Sequence, residues 1–200
     1  MYKWLSKIYD LIDVIYFKNN DRNPRKAVIS KIPQGKIKVA DICTGTATVL
    51  LKIADSRPEA EFFGIDRSSD MLKIAAEKVK ERKNIKLKCS DACNTGIEDG
   101  TFDVVVISLV LHEIDEKTAE NILAEAHRIL KKNGKLIITE WETSKSMMQR
   151  FIFFPIKKLE PKGFKEFLQK DIITWIEKSG FNFADIKHCD YSKVLEFVSQ

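Results

Sequence analysis

Lys38-Val39-Ala40-Asp41-Ile42-Cys43-Thr44-Gly45-Thr46-Ala47-Thr48 decides the fold class, read with Asp66 at the end of Glu61-Phe62-Phe63-Gly64-Ile65-Asp66. A short apolar run ends in an acid, crosses a turn of small residues and enters a helical pattern. About twenty residues past the turn, a second apolar run ends in another acid. In an open α/β sheet the first strand-to-helix turn holds a nucleotide-like ligand, and an acid ending strand two accepts hydrogen bonds from ribose hydroxyls. The pattern points to a nucleoside cofactor.

The turn narrows the choice. A dinucleotide fold uses G-x-G-x-x-G so that backbone can approach a pyrophosphate. Here Cys43, Gly45 and Thr48 stand at those places, so two of the three glycines are missing. No G-x-x-x-x-G-K-[ST] loop for a triphosphate occurs either. Asp41, just before the turn, repels a phosphate and suits a ligand with positive charge. S-adenosylmethionine carries an ammonium and a sulfonium, with ribose and adenine but no phosphate.

These residues resemble the class I S-adenosylmethionine-dependent methyltransferases, whose first motif runs roughly D-x-G-C-G-T-G. Within that superfamily the stretch Asp41 to Ala47 looks most like the ubiquinone/menaquinone C-methyltransferase branch. The resemblance runs from about Val39 to Trp141. It includes Gly64 to Leu72, Ser90-Asp91-Ala92, Thr101-Phe102-Asp103-Val104-Val105 and Ala126 to Leu136. The departures are Cys43 and Ala47 where the family has glycine. The resemblance implies a Rossmann-like, doubly wound seven-stranded sheet of order 3-2-1-4-5-7-6, with strand seven antiparallel.

Strand and helix patterns alternate along the chain, which predicts a parallel, doubly wound α/β sheet. Strands are expected at about 37–42, 61–65, 85–89, 102–108 and 135–140. Helices are expected at 46–55, 69–82 with Ser68 or Ser69 as cap, and 116–131 ending at Asn133-Gly134. A further helix over 170–179 stops at Gly180, and strand patterns follow over 182–189 and 193–198. Trp4, Ile8, Leu11 and Ile15 give an amphipathic lead helix over 3–17. Asn23-Pro24 supplies the cap and first position of a second helix, Arg25 to Ile32. The whole chain, 1–200, reads as one domain, with 1–33 as an N-terminal helical lid. Residues 146–168 form an insertion after strand five, expected over the acceptor pocket. Phe151, Phe153, Phe154 and Ile156 make it unusually apolar for a connection, so it reads as a lid, with contact to a membrane surface left open.

Composition excludes several classes. A net charge of +5 over 200 residues is dispersed among many lysines, with no dense basic stripe for nucleic acid. No run of eighteen apolar residues crosses a membrane, and no clear signal core opens the chain. A cytoplasmic location is expected. Cys43, Cys89, Cys93 and Cys189 match no zinc spacing, so no metal is expected, and they read as packing residues rather than disulfides or a soft-ligand site. The oligomeric state is not legible.

The resemblance also places roles. Asp66 would take the ribose hydroxyls and Asp91, beside Ala92, the adenine amino group. Asp41 would orient the turn near the methionine ammonium, and Thr44, Gly45 and Thr46 would lay backbone around the methionine tail. Arg67 and Met71 would flank ribose and adenine, and Ser108 would offer its carbonyl to the ammonium. Ordinary alternatives stand beside these: a strand-end helix cap for Asp66, a turn aspartate for Asp91. The segment Ser108-Leu109-Val110-Leu111-His112-Glu113 lacks the [DNS]-P-P-[YFW] motif of base and amide nitrogen methyltransferases. No Pro-Cys occurs for pyrimidine C5 chemistry. His112 is the candidate general base, since histidine titrates near neutral pH, against a structural strand-end reading. Glu140 and His188 are weaker candidates, and Trp4, Tyr9 and Tyr16 are expected to close over the cofactor or to pack in the core. The expected reaction moves a methyl group from S-adenosylmethionine to a small, partly apolar acceptor, leaving S-adenosylhomocysteine. RNA methylation and non-catalytic cofactor binding are the alternatives.

Overall fold

A computed structural model describes residues 22–143 and 163–200. The expected lead helix over 3–17 and the apolar core of the insertion lie outside these residues. Seven strands form one sheet of order β3-β2-β1-β4-β5-β7-β6. They are β1 (Lys38–Ile42), β2 (Glu61–Asp66), β3 (Ile85–Cys89), β4 (Phe102–Ser108), β5 (Leu130–Trp141), β6 (Phe181–His188) and β7 (Ser192–Ser199). The first five pair in parallel, whereas β7 runs antiparallel to both β5 and β6. The order and the antiparallel strand match the expectation drawn from the resemblance.

The central strands are apolar on both faces because helices cover both faces. Along β4 the side chains alternate between two cores. Val105 and Ile107 join Ala40, Ile42, Leu123, Ala126 and Ile176 on one face. Val104 and Val106 join Val28, Ile32, Leu50, Ile53 and Ala75 on the other. The first face carries α4 (Glu116–Ile129), α5 (Phe164–Gln169) and α6 (Ile172–Glu177); the second carries α1 (Pro24–Lys31), α2 (Thr48–Ser56) and α3 (Ser69–Val79).

Several boundaries differ from the sequence reading, three of them for a clear physical reason. Asn133-Gly134 does not stop a helix. The chain leaves α4 at Leu130, whose backbone is already extended, and Leu130 pairs with Phe102 before the register shifts to Lys135 on Val104. Asn133, at φ 61°, is the irregularity within β5 rather than a cap. The expected helix over 170–179 is shortened to α6, which Asp171 caps by accepting from Thr174 N at 3.3 Å and Thr174 Oγ1 at 2.8 Å, and a separate short helix, α5, precedes it in the segment expected to belong to the insertion. Helix α2 begins at Thr48 rather than at 46, after Ala47 in a left-handed conformation. Of the two candidate caps for α3, the structure selects Ser68, which accepts from Met71 N.

Helix α1 is fastened at its far end. The Arg57 guanidinium donates to the carbonyls of Ile29 at 2.6 Å and Ile32 at 2.8 Å, and also to Ser56 O at 2.9 Å. One side chain therefore satisfies the last carbonyls of α1 and lies at the last turn of α2. Lys31, almost wholly buried, adds bonds to Asp185 at 2.5 Å and Glu196 at 3.1 Å on the C-terminal hairpin.

Candidate active site

Strand β1 connects to β2 on one side, while its other neighbour, β4, connects to β5 on the opposite side. The loops after β1 and β4 diverge there, and open α/β sheets bind ligands in the resulting crevice. A cavity of about 520 Å³ opens at this place, within the range of small-molecule sites.

The first wall is the turn after β1. Cys43, Gly45 and Ala47 all adopt left-handed backbone, with φ of 59°, 55° and 58°. Only Gly45 does so without steric cost. The turn is held from beneath: Thr44 Oγ1 donates to Asp41 Oδ2 at 2.6 Å, and Thr44 N to Ile65 O at 3.0 Å. Gly64 lets the strands approach, since a Cβ there would stand 2.8 Å from Leu87 Cδ2 and 3.0 Å from Thr44 Cγ2. Asp66 then takes Gly45 N on Oδ2 and Ser68 N on Oδ1, each at 2.8 Å. Each carboxylate oxygen keeps a further lone pair.

Nine of the ten expected cofactor residues line this cavity: Thr44, Gly45, Thr46, Asp66, Arg67, Met71, Asp91, Ala92 and Ser108. Asp41 does not. It is buried under the turn, and burial, opposed by the Thr44 bond and reinforced by Asp66, pushes its carboxyl up to about 7. Asp91 is exposed and accepts from Cys93 N at 2.8 Å, which fixes its loop. Ser108 Oγ is buried with no hydrogen-bond partner among the described residues. An orphaned hydroxyl in a cavity wall is a group that a polar ligand would complete. That hydroxyl, the Asp66 carboxylate and a turn without phosphate-binding glycines together fit an adenosyl ligand with a charged amino-acid tail.

His112 stands behind the wall rather than in it. Its side chain is 1% exposed, and Nδ1 lies 2.7 Å from Glu140 Oε2. Phe164, Phe167 and Trp141 pack edge-on around the ring. Glu140 is wholly buried at the end of β5 and also accepts from Leu111 N at 2.8 Å and Val110 N at 3.1 Å. Glu113 does line the cavity. His188 pairs with Glu142 at 2.7 Å, both outside the cavity lining. Cys43 lines the cavity, and burial, with Asp66 and Asp41 nearby, drives its thiol up to about 12, so it stays protonated and inert.

The sequence reading passed over Pro24, Arg25 and Val28 of α1, which reach the cavity. The Asn23-Pro24 cap signalled the helix, but its destination depends on Arg57 and Lys31, which no local pattern reveals. Thr48 was also missed. Its hydroxyl and that of Thr46 both accept from Lys78 Nζ at 2.9 Å, tying α3 to the cavity rim.

The sheet order and the crevice define an α/β protein built to hold a nucleoside at a turn that has no pyrophosphate loop. Comparison with known proteins specifies the class. Residues 39–134 match the family described as "Methyltransferase domain". The chain is 32% identical over 148 residues to the ubiquinone/menaquinone biosynthesis C-methyltransferase UbiE of Citrifermentans bemidjiense, covering 72% of this chain and 62% of that protein. It is 30% identical over 186 residues to the demethylmenaquinone methyltransferase of Staphylococcus saprophyticus, covering 90% of this chain and 78% of that one. The chain thus spans less than two thirds of the first relative's length and more of the second's. In fold it is similar to a SAM-dependent methyltransferase from Aquifex aeolicus, with a TM-score of 0.75, 19% identity and 98% of each chain covered. The chain belongs to the class I S-adenosylmethionine-dependent methyltransferases, in the branch that holds the ubiquinone/menaquinone C-methyltransferases.

Proposed function

We propose that this protein methylates a small, flat, partly apolar acceptor of the hydroxylated-ring class, a quinol, using S-adenosylmethionine. The observation that carries the reading is the make-up of one cavity. Asp66, Gly45 and the unpartnered Ser108 hydroxyl share it with Leu109, Val110 and Ile114. Polar groups suited to an adenosyl ligand and an apolar wall suited to a ring thus face the same space. The names of the relatives agree with a quinone-type acceptor.

When bound, S-adenosylmethionine supplies an electrophilic methyl group on a positively charged sulfur. Asp66 accepts the ribose hydroxyls with the lone pairs that Gly45 and Ser68 leave free. Asp91 and Ala92 would border the adenine, with Arg67 and Met71 flanking the ribose and adenine. Thr44, Gly45 and Thr46 wrap the methionine tail, Asp41 supports them from beneath, and Arg25 suits the tail's carboxylate. Ser108 would offer its carbonyl to the ammonium. Orientation of two bound reactants supplies about 7–11 kcal/mol of barrier reduction, so the protein's main task is alignment and exclusion of water.

Among the described residues no helix is long and apolar enough to cross a membrane. The four cysteines are free thiols, which supports a cytoplasmic setting. The test is incubation with labelled S-adenosylmethionine and a short-chain demethylmenaquinol in detergent, with RNA in parallel. The expected product is the ring compound with one added methyl group. Label in RNA and none in the ring compound would reject the proposal.

A further inference from the structure

We propose that Glu113 takes the acceptor's proton during methyl transfer, and that His112, held by Glu140 behind the cavity wall, receives the resulting charge. The inference rests on the hydroxylated-ring reading above and deepens it.

Three ionisable side chains form a file from the cavity into the core. Glu113 lines the cavity with its side chain 40% exposed, and its Oε1 lies 3.8 Å from His112 Nε2. On the far side of the ring, Nδ1 meets Glu140 Oε2 at 2.7 Å. The separation of 3.8 Å is too long for a hydrogen bond. A shift of under about 1 Å, or one water, closes it, and such bonds commonly tighten only with reactants present.

Each partner constrains the next. Glu140 accepts backbone hydrogens from Val110 and Leu111 on Oε1 and from Trp141 on Oε2. Both Glu140 oxygens therefore serve as hydrogen-bond acceptors. With Oε2 as the acceptor, the proposal places the His112 proton on Nδ1, and Nε2 faces Glu113 Oε1. Phe164, Phe167 and Trp141 lock the ring in that orientation. A histidine needed only for packing has no use for a buried carboxylate on one nitrogen and a cavity carboxylate facing the other.

The step balances as follows. The acceptor's acidic hydroxyl gives its proton to the Glu113 carboxylate, and the O–H electron pair stays on the acceptor. An electron pair of the acceptor forms the bond to the methyl carbon while the carbon–sulfur pair remains on sulfur. Methylation at oxygen is then complete. Methylation at a ring carbon leaves that carbon's own hydrogen on it; this hydrogen departs as a proton, its C–H pair restores the aromatic ring, and the ring oxygen takes up one proton. The proton on Glu113 moves to His112 Nε2, Glu140 balances the imidazolium, and the proton leaves to water after product release. Glu113 is the catalytic residue here; His112 and Glu140 are positioning residues.

The experiment has two readouts. In methyl transfer to a short-chain demethylmenaquinol, Glu113→Gln should lower the rate by roughly 10²–10⁴-fold. Its calorimetric affinity for S-adenosylhomocysteine should equal that of the wild type, and added formate should restore part of the rate in Glu113→Ala. In nitrogen-15 spectra of the imidazole, His112 should carry its proton on Nδ1, and Glu113→Gln should shift the Nε2 resonance. Undiminished transfer in Glu113→Gln overturns the proposal. So does a His112 protonated on Nε2 alone and indifferent to Glu113→Gln. If the wild type methylates no hydroxylated ring, the acceptor reading fails, and the imidazole spectra still decide whether the file exists.

Discussion

Two carboxylates at strand ends hold the two rims of the crevice, and they are spent differently. At the β1/β2 rim, Asp66 accepts two backbone N–H groups, one from the turn after β1 and one from the start of α3. At the β4/β5 rim, Glu140 accepts N–H groups from Val110, Leu111 and Trp141 and also meets His112. In each case the acid of one strand organises the loop that follows its neighbour. Asp66 still faces the cavity and has lone pairs for a ligand. Glu140 is sealed and has none. The same device therefore makes a binding group at one rim and a structural keystone at the other.

The sharpest way to break this contrast is Glu140→Ala. It leaves backbone donors and His112 without their buried acceptor and should cost about 3–5 kcal/mol of stability, read by urea unfolding. Little loss would mean that water replaces the carboxylate and that the rim is softer than its burial implies. Asp66→Ala should behave in the opposite way. Affinity for S-adenosylhomocysteine should fall by roughly 2–4 kcal/mol, with stability changed by about 1 kcal/mol. Calorimetry with unchanged affinity in a folded variant would remove Asp66 from the cofactor site.

A third test separates the rim from its support. The Asp41 carboxyl sits at about 7 in the folded protein, against about 3.9 when unfolded. Between those values the folded state holds the extra proton, so stability falls as pH rises through the window and levels off above it. Asp41→Asn keeps an acceptor for Thr44 and removes the titration. Relative to it, the wild type should lose about 2 kcal/mol between about pH 5 and pH 7. Parallel curves for the two proteins would show that Asp41 is solvated. The smallest effect is expected from Gly45→Ala. Beyond its chain neighbours, no atom of the described residues lies within 4 Å of the added methyl, so the left-handed backbone is what resists it, at about 1 kcal/mol. The methyl borders the cavity, so a measurable loss of cofactor affinity should accompany that small strain.

The same contrast explains what the sequence could tell. The β1/β2 rim is written in consecutive residues: Asp41 through Thr48 and Gly64 through Asp66 sit on short segments whose geometry follows from strand, turn and cap rules. The sheet order came from resemblance, because periodicity does not say which strand lies beside which. The other rim joins residues about thirty apart, Val110 to His112 with Glu140, and only strand pairing brings them together. His112 stood out in the sequence as the nearest histidine, yet the residue reaching the cavity is Glu113. Which of two neighbours faces inward at an irregular strand end depends on Leu109, whose φ of 56° re-aims the chain, and no pattern announces that. The start of α6 was legible to within two residues, since Asp171 and Thr174 form a capping pair, whereas α5 lay in a segment read as an insertion.

Arg57 grips α1 and α2 at their last turns, while the first turns of both helices border the cavity. The pair therefore works like tweezers riveted at the handle. A ligand held between the tips would not touch the rivet, since Arg57 lies outside the cavity lining. Arg57→Ala is the substitution by which grip on a ligand would be retuned without altering the cavity wall itself.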